Sequence, residues 1–275
     1  AVSQSLAGRT GMLFLLPLSL PELQAADIRF DSFEETLLHG FLPRVHAERQ
    51  RPRVADASYY QTYVERDVRQ VSEIRNLSSF RTFVKLCAGR CGQLLNLHAL
   101  GSDAGVSHTT AREWISVLEA SYIVFRLEPL HANLSKRLVK SPKLYFYDVG
   151  LAAYLLGIES KNQIFTHPLK GALFENLVVM EALKHRYNRG RRSNLTFYRD
   201  SNRNEVDLVL AYGEQRVGVE AKAGATIGGD YFKGLKRLSA AFPEPLAGEM
   251  VVHGGDSELV RDGVVVTSAA GFVER

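Results

Sequence analysis

The stretch "NEVDLVLAYGEQRVGVEAKAG", Asn204 to Gly224, constrains the fold more than any other part of the chain. Two apolar runs, "EVDLVLA" and "QRVGVEAK", separated by turn residues, have the grammar of a β-hairpin. Side chains alternate along a strand, so Val206, Leu208 and Leu210 are expected on one face and Glu205, Asp207 and Val209 on the other. In the second strand Val217, Val219 and Ala221 point one way, and Gly218, Glu220 and Lys222 the other. Pairing the two strands lets Asp207, Glu220 and Lys222 converge on one face.

Carboxylates held together repel unless a cation neutralises them, and hard oxygen ligands suit Mg²⁺ or Mn²⁺. Such an ion activates water and stabilises the charge that develops on a phosphodiester during hydrolysis. Lys222 is placed to hold the attacking water or the phosphate, and Glu175, on the amphipathic helix "GALFENLVVMEALKHRY", is placed to supply another oxygen. The metal candidates are thus Asp207, Glu220 and Glu175. A structural reading stays open beside this one: Glu220 and Lys222 as a same-face pair at a sheet edge, with Asp207 closing a turn network.

Around the hairpin the expected order is helix, three strands ("LTFYRD" first), helix ("DYFKGLKRLSAAF", with Phe232, Leu235 and Leu238 inward) and a strand, "GEMVVHG". This is an α+β arrangement over residues 161–275. Upstream, residues 59–160 form a helical module. "SYYQTYVERDVRQVSEI" and "LSSFRTFVKLCAGR" read as helices. "NLHALGSDAGVSHTTAREWISVLEASYIVFRLEPL" reads as a helix-turn-helix, with Ser107 as N-cap and Trp114, Ile115 and Leu118 facing the core. Thr109 and Arg112 then face outward, where a recognition helix presents its side chains. Two strands, Tyr122 to Leu127 and Lys143 to Tyr147, complete a winged-helix arrangement, a fold that serves DNA binding or protein docking.

The net charge of +4 is mild but unevenly spread. Residues 131–143 contain Lys136, Arg137, Lys140 and Lys143 without an acid, and residues 184–203 contain seven cations, Arg191 and Arg192 among them, against Asp200. These tracts suit a polyanion such as nucleic acid; solvated loops without a partner are the alternative. Cys87 and Cys91, four apart on an expected helix, could form a metal site with His98, but a fourth ligand and the familiar spacings are missing. Reduced, partly buried thiols in a cytoplasmic protein are the expectation.

Residues 1–58 cannot enclose a core of their own. "GRTGMLFLLPLSLPELQAAD" mimics a secretory signal, but Pro17 interrupts the run, Glu22 follows, and the run is too short to span a bilayer. It reads as a buried strand, Met12 to Leu16, leading into a turn. A helix through Phe33, Leu37 and Leu38 closed by Gly40 follows, and then "QRPRVAD" as a loop.

The element order with "EVDLVL" and "VEAK" resembles the PD-(D/E)XK nuclease superfamily. That resemblance assigns Asp207, Glu220 and Lys222 to the motif's acid, acid and lysine, and Glu175 to the helix acid of many members; Val206 stands where many members have Pro. More particularly, "SLAGRTGMLFLLPLSLPEL", "YYQTYVERDVRQV", "WISVLEASYIVFRLEPLHANLSKRLVKSPKLYFYDVGLAAYLLGI" and "HPLKGALFENLVV" resemble the C-terminal portion of a prokaryotic family of AAA-type P-loop ATPases that end in a nuclease-related domain of unknown function.

The resemblance implies that residues 1–58 are a remnant of the ATPase module, with its last strand and lid, and that Arg9 is a candidate nucleotide contact. No G-x-x-x-x-G-K-[ST] occurs, so this fragment is expected neither to bind ATP tightly nor to hydrolyse it; ATP belongs to the full-length protein. The expected function is divalent-metal-dependent phosphodiester hydrolysis, DNA binding or both, with nucleic acid and the protein's own ATPase module as partners, possible homo-oligomers and no membrane. The alternatives are a non-catalytic scaffold for association around the ATPase, and a winged-helix DNA-binding regulator.

Overall fold

The computed structural model describes residues 13–68, 74, 76–130 and 139–273. Four short helices open the chain: α1 (Leu20–Ala25), α2 (Phe33–His39), α3 (Pro43–Ala47) and α4 (Pro52–Tyr59). The Ser19 side chain and Glu22 form a reciprocal capping box on α1, and Gly40, at φ 63°, closes α2 as its sequence predicts. Two expectations fail in this region. Residues 13–16 are not a buried strand: Leu13 and Leu15 are 77% and 93% exposed. A strand needs a neighbour to satisfy its backbone, and no described residue pairs with this run. "QRPRVAD" is not a loop, because Pro52 starts α4 at a position that needs no N–H donor. α4 then runs without a break into a π-helical segment, Tyr60–Val68, across residue 58.

Helices α5 (Leu77–Ala88), α6 (Leu97–Ala104) and α7 (His108–Ala120) follow. Gly105 turns the chain between α6 and α7 at φ 69°, and Ser107 Oγ accepts the Thr110 N–H at 3.0 Å. Trp114 of α7 is met edge-on by Phe80 and Phe83 of α5. β1 (Val124–Leu127) and β2 (Lys143–Phe146) then pair antiparallel. α5 ends at Ala88, so Cys91 lies in the following turn instead of one helical turn below Cys87. Both thiols are buried and free, and His98 stacks on His108, so no Cys/His metal set forms among the described residues.

After α8 (Val149–Leu155) and α9 (Lys161–Thr166) comes the long helix α10 (Lys170–Tyr187), followed by β3 (Leu195–Arg199), β4 (Glu205–Tyr212) and β5 (Gln215–Lys222). α11 (Lys233–Ser239), β6 (Gly248–His253), β7 (Leu259–Arg261), β8 (Val264–Ser268) and α12 (Ala269–Val273) complete the chain. The sheet order is β3-β4-β5-β6-β8-β7, with β5, β6 and β8 parallel and the other pairings antiparallel. The protein is thus a mixed α and β structure, with α10 on one sheet face and α11 on the other. β7, β8 and α12 extend it beyond the last element expected from sequence.

One apolar core runs from Leu23 to Val273 and draws on all three stretches of the chain, while a second lies between the sheet and α11. One join between the β1–β2 pair and the sheet domain is made by Asn176 of α10, which is 0% exposed. Its Oδ1 accepts the Phe146 N–H at 2.7 Å and its Nδ2 donates to the Phe146 carbonyl at 2.9 Å. The Cys91 thiol donates to the same Oδ1 at 3.1 Å. A polar side chain this deep is tolerable only when its groups are paired, and here the pairing sets the register of β2 on α10. Asn176→Leu is therefore expected to strand the Phe146 N–H and carbonyl and to cost about 2–4 kcal/mol, read as a fall in the urea midpoint.

Candidate active site

At one end of β4 and β5 the structure brings together the residues singled out above. Glu175 comes from α10, Asp207 from β4, and Glu220 and Lys222 from β5. The simple alternation expected of β4 does not survive intact. Thr196 pairs with Val209 and Tyr198 with Val206, so Asp207 and Leu208 together oppose Phe197 in a β-bulge. The bulge moves Val206 onto the α11 side with Val209, while Leu208 and Leu210 stay in the α10-side core. Bulges re-aim side chains in this way, and here the re-aimed side chain is Asp207.

Asp207 lies between two ammonium groups, with Lys222 Nζ 3.6 Å from its Oδ2 and Lys143 Nζ 3.7 Å from its Oδ1. Oδ2 also accepts the Ala221 N–H at 2.9 Å. Lys222 Nζ donates to Glu220 Oε2 at 2.7 Å. Lys143 of β2, 1% exposed, donates to Glu175 Oε1 at 2.7 Å and forms an ion pair with Glu205 Oε1. Tyr145 donates its hydroxyl to the same Glu175 oxygen. Glu205 is also paired with Arg199, at 2.8 Å. Gly234 of α11 lets that helix close over the site, because a Cβ there would collide with Glu220 Oε1 and the Glu205 carbonyl.

The electrostatics separate the carboxyl groups. Burial and the nearby Asp207 push Glu220 up to about 9. Burial and Asp207 also push Glu175 up, to about 7, against the pull of Lys143. Burial works to raise Asp207 as well, but Lys143 and Lys222 outweigh it and hold that carboxyl below its ordinary value. Both lysines are held charged: burial opposes their charge, and the surrounding acids overcome it. Near neutral pH the site therefore has an ionised Asp207 beside a protonated Glu220.

Glu175, Glu205 and Asp207 each offer an oxygen within 4.8 Å of the others, a set of hard donors able to hold a divalent cation. The Lys143 ammonium contacts all three carboxylates. Lys143, Glu205 and Tyr145 were not anticipated as site residues. Lys143, in a basic tract expected to suit a polyanion, is instead buried against acids. Lys184, counted in the second tract, is likewise 1% exposed and bonded to Glu181 and the Leu18 carbonyl. A lysine opening an otherwise apolar strand, "KLYFY", was the one available sequence signal.

The residues expected to face nucleic acid lie elsewhere. Thr109 and Arg112 are exposed on α7, and Lys140, Arg191 and Arg192 are exposed in loops. Lys136, Arg137 and Arg9 lie outside the described residues. No helix among the described residues is long and apolar enough to cross a membrane.

Comparison with known proteins matches residues 30–162 to a domain of unknown function (DUF8612) and residues 170–272 to a domain of unknown function (DUF4143). The chain is similar to uncharacterized protein Mb2031c of Mycobacterium bovis and uncharacterized protein Rv2008c of Mycobacterium tuberculosis. To each it is 30% identical over 228 residues, 82% of this chain and 49% of the relative. The chain thus spans about half the length of the curated relatives it matches. No solved structure matches it significantly.

The raised carboxyls predict a pH effect with a definite sign. Glu220 and Glu175 hold protons in the folded state that they release near 4.5 when unfolded, so their contribution to stability is complete below that pH. It is lost as pH rises, through about 7 for Glu175 and about 9 for Glu220. Thermal melts at pH 6 and pH 9 should show a loss of stability in the wild type and a smaller loss in Glu220→Gln.

Proposed function

We propose that residues 161–275 form a nuclease-like domain of the PD-(D/E)XK type that acts in divalent-metal-dependent phosphodiester hydrolysis, within a longer AAA-type ATPase. The observation that carries this reading is the cluster of Glu175, Glu205 and Asp207 at one end of the sheet, with Lys222 against Asp207 and Glu220. The donor chemistry fits Mg²⁺ or Mn²⁺: every ligand candidate is a carboxylate, and the Lys143 ammonium already seated against three of them marks the place as one that stabilises positive charge. Glu175, Glu205 and Asp207, whose oxygens lie within 4.8 Å of one another, would hold the ion, which when bound supplies an activated water and a counter-charge for the phosphate; Glu220, expected from sequence as a ligand, stands beside Asp207 but outside that set.

The protein's own groups have distinct tasks in this reading. Asp207, kept ionised between two ammoniums, supplies a permanent negative charge. Glu220 carries a proton beside that charge at neutral pH. Lys222, 31% exposed at its side chain, is the ammonium with access to solvent and the one able to donate to a phosphate oxygen or to the attacking water. Lys143, buried and triply paired, orients the acids from behind. The helix-turn-helix and β1–β2 pair, read as a winged helix, would contribute DNA contacts through Arg112 and Thr109.

The buried Lys143 also favours a second reading, in which the internal ammonium satisfies the acids permanently and the domain is a scaffold for association around the ATPase. Calorimetry with Mn²⁺ separates the two. The hydrolytic reading expects a binding heat that Asp207→Ala abolishes, whereas the scaffold expects none. Plasmid and branched DNA incubated with Mn²⁺ should be cut by the wild type, with Asp207→Ala and Lys222→Ala each slower by about 10²-fold or more. Cleavage that survives both substitutions would remove the proposed site.

A further inference from the structure

Beside the acid cluster, α11 and the start of β4 enclose a groove of about 550 Å³ whose walls include Lys233, Lys236, Arg237 and Glu205, with Gly234 at its floor. The three cations occupy positions i, i+3 and i+4 of one short helix, all exposed. Lys236 and Arg237 lie in the last turn, where cations suit the helix dipole, but Lys233 at the first position opposes that dipole and repels both at i+3 and i+4, by about 0.2–0.5 kcal/mol per pair, so the dipole does not account for the whole group. None of the three makes an ion pair with any described residue. Glu249 of β6 interacts electrostatically with Lys236 but forms no ion pair with it. The acid that lines the groove, Glu205, has both carboxylate oxygens engaged, one by Lys143 and the other by Arg199. The concave surface is therefore left with uncompensated positive charge, a field that attracts anions. Its floor residue Gly234 packs directly on Glu220, so an anion in the groove lies next to the site where hydrolysis is proposed.

We propose that this groove holds the sugar-phosphate backbone of DNA, with Lys233, Lys236 and Arg237 contacting phosphates adjacent to the one at the acid edge. This assigns the substrate's path to a surface apart from Arg112 on α7 and from Arg191 and Arg192. It rests on the hydrolytic reading for its chemistry, but binding is measurable without cleavage. The experiment is fluorescence anisotropy of a labelled DNA duplex with EDTA present, across a salt series, using the purified chain.

Wild type should bind. The double variant Lys236→Glu/Arg237→Glu should bind at least about tenfold more weakly, with a log–log salt slope lower by about 2 because two phosphate contacts are lost. Both side chains are exposed, so an unchanged melting temperature is expected to show that the fold is retained. Lys233→Ala should weaken binding in the same direction. Absence of DNA binding by the wild type, or affinity and slope unchanged in the double variant, would overturn the proposal. So would loss of binding confined to Arg112→Ala or to Arg191→Ala/Arg192→Ala. Groove-dependent binding with no Mn²⁺-dependent cleavage would uphold the groove and defeat the hydrolytic reading alone.

Discussion

The arrangement turns on a single buried ammonium. Lys143 is 1% exposed, and taking a charge of that kind out of water costs several kcal/mol unless other groups compensate. Compensation comes from Glu175 on α10 and from Glu205 and Asp207 on β4, none of which belongs to the element that carries the lysine. β2 therefore cannot bury its first residue without the sheet domain, and the sheet domain cannot gather its acids without β2. Asn176, one residue after Glu175, fixes the same contact in register through both polar groups of Phe146. This mutual dependence accounts for the continuous core that joins the helical half of the chain to the sheet.

From that contact the properties of the acid edge follow. The bulge in β4 sets Asp207 where Lys143 reaches it from one side and Lys222 from the other. Glu220, on the strand beside it, gains only Lys222 and is covered by α11 through Gly234. Two carboxyls in one site thus differ sharply in proton affinity because their cation neighbours differ in number and their burial is similar. The same closure by α11 brings Lys233, Lys236 and Arg237, none in an ion pair with a described residue, to the rim of an acidic site.

Much of this was legible in the chain. The hairpin, α10, the helix-turn-helix with its Ser107 cap, and the inward aromatics Phe80 and Phe83 follow from apolar spacing and capping residues, which act over a few positions. That Glu175, Asp207, Glu220 and Lys222 come to one region was legible from element order, but the placing of Asp207 came from the bulge and not from alternation, and Glu205 takes the place expected for Glu220 in the acid cluster. The failures share a cause. Charge runs along the chain place Lys143 and Lys184 among solvent-facing cations, yet each is buried, Lys143 beside acids remote in sequence and Lys184 beside Glu181 of its own helix. Local composition carries no record of which charges will be paired. "QRPRVAD" was polar enough to suggest a loop, but Pro52 and the contact of α4 with α8 and α2 made it a helix.

The sequence by itself determined the elements and the chemical character of the edge, since propensity, capping and alternation are short-range effects written residue by residue. Only the tertiary structure decided which cations answer the acids, which carboxyl keeps its proton, and which basic residues stay exposed. Those outcomes depend on distance and desolvation between segments far apart along the chain. A one-residue bulge and one glycine-sized approach were enough to set them.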